Sequence, residues 1–246
     1  MSAEILDTLY GPVEVTHGFL SGGVEVAHIS RHGKGHIRLS NHVNHLANLA
    51  ALIDLDVIAV ISLTVCGAVD PDVALGSVVV FDDLYYPSNR LPDGTLCTWH
   101  NKAGLAGRGH WIFDRPFSEP LRRALIDAGR EVNIDLTPSG CYGHVDGPRF
   151  NTRAEILSAR NAGVTAVSQT AGPEVVLAGE AGIPLALIGF VTDYANGVVE
   201  EPQPIEELIA RVARSTAVLT SVVGGALGAI EVAELEPTGI FYRFEP

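Results

Sequence analysis

Five short apolar runs rich in Val, Ile and Leu constrain what this chain can fold into: Val24 to Ile29, Val57 to Leu63, Ser77 to Phe81, Thr165 to Ser168 and Pro184 to Val191. Their apolarity is near-continuous rather than alternating, which predicts strands of a sheet covered on both faces. Helical patterns lie between them. Leu46, Leu49, Ala50 and Ile53 share one helical face, and a second helix from Glu119 to Arg130 should stop near Gly129. Thr152 with Glu155 has the spacing of a capping box opening a third helix. Pro173 suits the first turn of a fourth, Glu174 to Glu180, which Gly182 ends. A last helix is expected from near Pro204 to about Ala233, bent or broken at Gly224 and Gly225. Strand and helix in this order predict an α/β fold, a central mixed β-sheet flanked by helices, with residues 1–246 as a single domain.

Charge and composition narrow the function. The 246 residues carry a formal net charge of −13, are 47% hydrophobic and only 18% charged. A disordered chain is excluded by that balance, and nucleic acid or an anionic membrane is a poor partner for so acidic a protein. A small, weakly charged ligand fits better. Cys66, Cys97 and Cys141 lack any CxxC spacing and imply a reducing compartment. Met1 to Tyr10 has no basic or apolar region of a secretory signal, and the longest uncharged stretch, Ser215 to Ile230, is too short for a membrane span. A cytoplasmic location is expected.

Ligands of open α/β sheets sit beyond the carboxyl ends of strands. The polar groups following the apolar runs are Arg31-His32-Gly33, Thr64, Gln169-Thr170 and Thr192-Asp193. One Arg, one His and two Thr hydroxyls together suit an oxyanion, and Thr170 stands before a helix whose unpaired amides and dipole favour negative charge. Singly, each has a structural alternative: turn chemistry for Thr64 and Thr170, a surface ion pair for Arg31, a cap for Asp193. His32 and His36 are no helical zinc pair, because two glycines interrupt them and no third ligand is evident; no metal is expected. Pro87 to Gly109 is irregular and long for a plain connection, so it is a functional or partner-contacting loop.

The motifs then carry a resemblance. Arg31-His32-Gly33-Lys34-Gly35-His36 with Val43-Asn44-His45-Leu46-Ala47-Asn48 resembles the RHGxxH and VNYxAN signature of 5'-methylthioadenosine phosphorylases, a branch of the trimeric purine nucleoside phosphorylases. Asp146-Gly147-Pro148-Arg149-Phe150 is similar to the family's EGPRF. Pro173-Glu174-Val175-Val176-Leu177-Ala178 is similar to its PEVVLA, and Thr192-Asp193-Tyr194 to its TDYD. The resemblance implies that Arg31, His32, Thr64 and Thr170 bind phosphate, with the main chain at Val65 beside the nucleoside. It places Phe150 as the aromatic stacking on the purine, Gln169 beneath the ribose in place of a Met, and Asp193 as the carboxylate near purine N7. His110 resembles a histidine that a neighbouring subunit lends, which implies a homotrimer. Phosphate is then a co-substrate, and no cofactor is expected.

The departures from the family pattern matter as much. The resemblance implies that the chain starts after the strand and Gly-rich loop with which family members usually open, leaving part of the anion cradle absent. Ala195 stands where the family has a second Asp, Gln169 replaces the Met, and Ser40 replaces a usual Pro. The leading expectation is phosphorolysis of adenosine or a 5'-modified 5'-deoxyadenosine such as 5'-methylthioadenosine. A phosphate-independent purine nucleosidase and a non-catalytic nucleoside-binding paralogue stay open as alternatives.

Overall fold

The computed structural model describes residues 2–20, 23–201 and 203–244; Met1, Glu245 and Pro246, the ends of the expected domain, lie outside them. Three strands, β1 (Ser2–Thr8), β2 (Gly11–Phe19) and β3 (Glu25–His28), form a small antiparallel sheet. Seven others make the main sheet: β4 (Val60–Ala68), β5 (Val78–Val80), β6 (Asp83–Tyr85), β8 (Leu136–Thr137), β9 (Cys141–His144), β10 (Val164–Ser168) and β11 (Leu185–Tyr194). Their order is β6-β9-β10-β4-β11-β5-β8. The sheet is mixed, with β10–β4 and β11–β5 antiparallel and the other pairs parallel. A separate ribbon pairs β7 (Gly109–Ile112) with β12 (Ile240–Arg243).

Among the described residues, five α-helices flank the sheets: α1 (His45–Asp54), α2 (Glu119–Glu131), α3 (Arg153–Asn161), α4 (Ala171–Ala181) and α5 (Ile205–Leu227). Alternation along β11 divides the core, as strand geometry requires. Ala186, Ile188 and Phe190 join Leu121, Leu125 and Val222 of α2 and α5 on one side. Leu185, Leu187 and Val191 meet Val175 and Leu177 of α4 and Leu49 of α1 on the other. Strand β11 is buried on both faces, which is why its sequence reads as one apolar run. The expected α/β class, a mixed sheet flanked by helices, is the one observed.

Several boundaries differ from expectation, each for a physical reason. The Val24 run does not enter the main sheet; it is a half-buried edge of the small one. Thr64 does not follow its strand but lies in the middle of β4, and Thr192 and Asp193 lie inside β11, because the β4–β11 ladder runs on from Val60–Leu185 to Ala68–Tyr194 through a bulge between Val191 and Asp193. A polar residue does not end a strand whose neighbour still offers hydrogen bonds. Helix α4 starts at Ala171, three residues before the expected Glu174. Helix α5 passes through Gly224 and Gly225 unbroken and ends at Leu227 rather than near Ala233. A Cβ at Gly225 would stand 3.2 Å from the Ala128 Cβ, so that glycine serves close packing of α5 on α2. The Thr152–Glu155 capping box forms as expected and is worth about 1 kcal/mol to α3.

Candidate active site

The site opens where β4 and β10 part. The two strands pair only at Gly67–Val167 and Ala68–Ala166, so the stretch of β4 before Gly67 has a free edge. Alternation on β4 buries Ser62 and Thr64 on one face and leaves Val65 exposed on the other. Arg31, in the turn after β3, reaches this edge. Its Nη1 donates to Leu63 O at 2.7 Å and to Thr170 Oγ1 at 3.3 Å, and its Nη2 donates to Ser62 Oγ at 3.0 Å. Thr64 Oγ1 lies 2.8 Å from Ser168 Oγ at the end of β10. Arg31, Thr64 and Thr170, separate in sequence, therefore converge as expected.

Glu174 changes the electrostatics of the group. Its carboxylate is 2.6 Å from Arg31 Nε and accepts from Nη2 at 2.9 Å and from Ser62 Oγ at 2.5 Å. Every N–H direction of the guanidinium thus has an acceptor. The helix amides are also taken: Ala171 N–H donates to Tyr142 Oη at 3.2 Å and Gly172 N–H to His144 Nδ1 at 3.3 Å. The expectation of unpaired amides at the start of α4 is corrected by these contacts, since buried donors find partners. His144 accepts as a neutral ring, its pKa pushed down to about 3 by burial. His45 is also held neutral, at about 3, by burial and then by the Arg31 charge, and both its ring nitrogens lack a hydrogen-bond partner among the described residues.

His32 borders the same turn. Its Nδ1 is 2.8 Å from Arg38 O, and a carbonyl only accepts, so Nδ1 bears the proton. Desolvation holds its pKa below the usual value against the pull of that carbonyl, and His36, stacked at 4.2 Å, adds to the lowering. Neutral His32 therefore presents Nε2 as an acceptor.

Asp193 lies further along. It pairs with Gly67, three residues from Thr64, about 10 Å along a strand. Burial raises its pKa, opposed by the Thr192 hydroxyl that donates to Oδ1 at 2.7 Å and by the Arg211 charge. Phe150 stands in the turn before α3 with 66% of its surface exposed. Gln169, between Ser168 and Thr170, bonds Ser40 and the Arg149 carbonyl.

His110 is not brought to this site. It sits in β7, its ring edge-on to Phe244, and the next residue, Trp111, lies against Gly179 near the far end of α4. Gly179 is eight residues beyond Ala171, about 12 Å along the helix. Ser62, Ser168, Glu174, Tyr142 and His144 were not expected at the site from the sequence. Two left signals: Glu174 is four residues after Thr170 on a helix, and Ser62 two before Thr64 on a strand, so each shares a face with a residue already singled out.

Comparison with known proteins shows the family. Residues 4–227 match the profile of the Phosphorylase superfamily. A 6-oxopurine nucleoside phosphorylase of Pyrococcus furiosus is 34% identical over 205 residues, 79% of this chain and 73% of that one. A probable S-methyl-5'-thioinosine phosphorylase of Xylella fastidiosa is 36% identical over 197 residues, 78% and 79% of the two chains. Among solved structures, methylthioadenosine phosphorylase from Schistosoma mansoni in complex with adenine superposes with a TM-score of 0.84 at 27% identity, covering 94% of this chain and 86% of that one.

Proposed function

This chain belongs to the phosphorylase superfamily and is a pentosyltransferase of the purine nucleoside phosphorylase type, and we propose that it cleaves adenosine or a 5'-modified 5'-deoxyadenosine such as 5'-methylthioadenosine with inorganic phosphate. Thr170 carries the argument for an anion in the crevice. Its Oγ1 accepts from Arg31, so its own proton is free to donate; the Thr64 hydroxyl donates to Val65 O at 2.9 Å and lies 2.8 Å from Ser168 Oγ, and turns from that carbonyl to serve the anion. Neutral His32 Nε2 accepts from a protonated phosphate oxygen. A phosphate oxygen attacks the anomeric carbon, the C1'–N9 bond breaks, and its electron pair passes to the purine, which takes a proton at N7 from Asp193. The span of about 10 Å between Thr64 and Gly67 leaves room for the ribose. The Val65 main chain flanks the sugar and Phe150 stacks on the base, while the Gln169 amide is turned to Ser40 and Arg149 O. Burial of Asp193 favours the neutral carboxyl that can give this proton.

Base selection follows from one carboxyl rather than two. Ala195 is buried and its side chain offers no acceptor, while its amide donates to Ala68 O and its carbonyl accepts from Val198 N. A single carboxyl near N7 serves 6-amino and 6-oxo purines alike, and relatives named for oxopurine and thioinosine substrates support this breadth. Base release should be phosphate-dependent, with adenosine-type and inosine-type nucleosides turned over within about tenfold of one another, since the discrimination lost is a single hydrogen bond. A chromatographic assay with and without phosphate decides this. Equal release without phosphate establishes the nucleosidase, a reading favoured by the occupied guanidinium of Arg31. Binding without any release establishes a non-catalytic paralogue.

The assembly is a homotrimer in this reading. His110 is in β7, whose next residue, Trp111, packs against Gly179 at the end of α4 away from Thr170, and its ribbon exposes Ile112, Phe113, Ile240, Tyr242 and Phe244, an apolar surface that fits burial against a second copy. Light scattering should return three times the 26.0 kDa chain mass. A monomer would remove His110 from the reaction. No helix among the described residues is long and apolar enough to cross a membrane, and three free cysteines fit a reducing, cytoplasmic setting.

A further inference from the structure

We propose that Ser40 and Gln169 act together as positioning residues that fix the turn bearing Phe150 and so set how tightly the nucleoside is held; the inference rests on the reading of Phe150 as the base-stacking aromatic. The two residues are 129 positions apart, yet Ser40 Oγ donates to Gln169 Oε1 at 2.8 Å. Gln169 Nε2 donates in turn to Arg149 O at 3.1 Å. The direction of the relay is forced. A carbonyl oxygen only accepts, so the amide nitrogen must face Arg149, which leaves the amide oxygen for Ser40 and makes the Ser40 hydroxyl the donor.

The turn has been brought close to receive this bond. A Cβ on Gly147 would overlap both Gln169 Oε1 and Ser40 Oγ, so only glycine lets the Gly147–Phe150 segment approach the pair. The turn is held from the other side too. The Arg149 guanidinium donates to both Glu155 carboxylate oxygens at 2.9 and 2.7 Å, and Asn196 Nδ2 donates to Asn151 O at 2.6 Å. Phe150 itself stays open to solvent between these anchors. An aromatic platform that is already fixed spares the ligand the entropy of ordering it. Neither Ser40 nor Gln169 is needed at the reacting atoms for this role, and a Met or a Pro at these positions could not make either bond.

The experiment is a double-mutant cycle on the whole protein, read as nucleoside KM and kcat at saturating phosphate. Ser40→Ala and Gln169→Met are each expected to raise KM roughly 3- to 10-fold, the size of one ordering cost per side chain, with kcat within about twofold. The double variant should be no worse than Gln169→Met alone, because the serine acts only through the glutamine. Gln169→Glu keeps an acceptor for Ser40 but, ionised, cannot donate to Arg149 O, so it should match Gln169→Met. A fall in kcat at unchanged KM, or single effects that multiply in the double variant, would overturn the proposal. So would a KM penalty that disappears with 2'- or 3'-deoxynucleosides, since that pattern means direct contact with the sugar. Phe150→Ala separates the two layers of the argument. A raised KM there with unaffected Ser40 and Gln169 variants removes the relay alone, whereas an unchanged KM removes the stacking role and the relay with it.

Discussion

Arg31→Met should cost the fold about 3 to 5 kcal/mol and abolish the stimulation of turnover by phosphate. The first effect is the price of a buried, uncompensated carboxylate: the Arg31 and Glu174 side chains are 17% and 8% exposed and face each other in a bidentate pair. The second follows from charge. The pair is neutral as a unit, and removing Arg31 leaves Glu174 as a negative group beside the place where an anion must bind. Glu174→Gln works in the opposite direction, because an amide oxygen still accepts from Arg31 while the guanidinium charge is released toward the crevice. Its phosphate KM should fall below that of the wild type. The double variant Arg31→Met/Glu174→Gln should recover much of the lost melting temperature without recovering phosphate stimulation. Thermal unfolding together with phosphate titration of initial rates separates these outcomes. Unchanged phosphate dependence in Arg31→Met would show that phosphate binds elsewhere.

The same pair shows what was legible in the sequence. Arg31, Thr64 and Thr170 were readable as a convergent group because each follows or interrupts an apolar run, and the sheet does bring them together. What the runs do not carry is how far a ladder extends. β4 and β11 hold each other in register past Thr64 and Thr192, so residues expected beyond the strands are inside them. The candidate site therefore lies where β10 diverges from β4, a property of two strands that neither strand's sequence reports. The small sheet escaped for a different reason. Val13 and Val15 are buried while Glu14 is exposed, an alternation of period two, and a search for continuous apolarity passes over it. Ser40 and Gln169 were visible singly as departures from a family pattern, but only the folded chain puts the two side chains 2.8 Å apart.

Asp193→Asn should lower turnover by on the order of 10² to 10⁴-fold, the range of general acid catalysis, while raising the melting temperature at neutral pH. The two effects have one origin. Burial lifts the Asp193 pKa above its ordinary value, so between the unfolded and folded values the native state keeps a proton that the unfolded chain has released. Stability falls as pH rises through that window, and above it the full cost of a buried carboxylate remains. Asn carries no such cost, and its Oδ1 can still accept from the Thr192 hydroxyl. The variant should therefore unfold at a higher temperature than the wild type above the window and at the same temperature below the ordinary Asp value. A nucleoside whose purine is already cationic through N7-methylation needs no proton to leave, so it should keep its rate in the variant. Loss of turnover on that substrate as well, or a lower melting temperature at neutral pH, would make Asp193 a structural residue. Retention of the rate with a gain in stability would place the carboxyl where a strained group belongs in an enzyme, paying in fold stability for a proton delivered at N7.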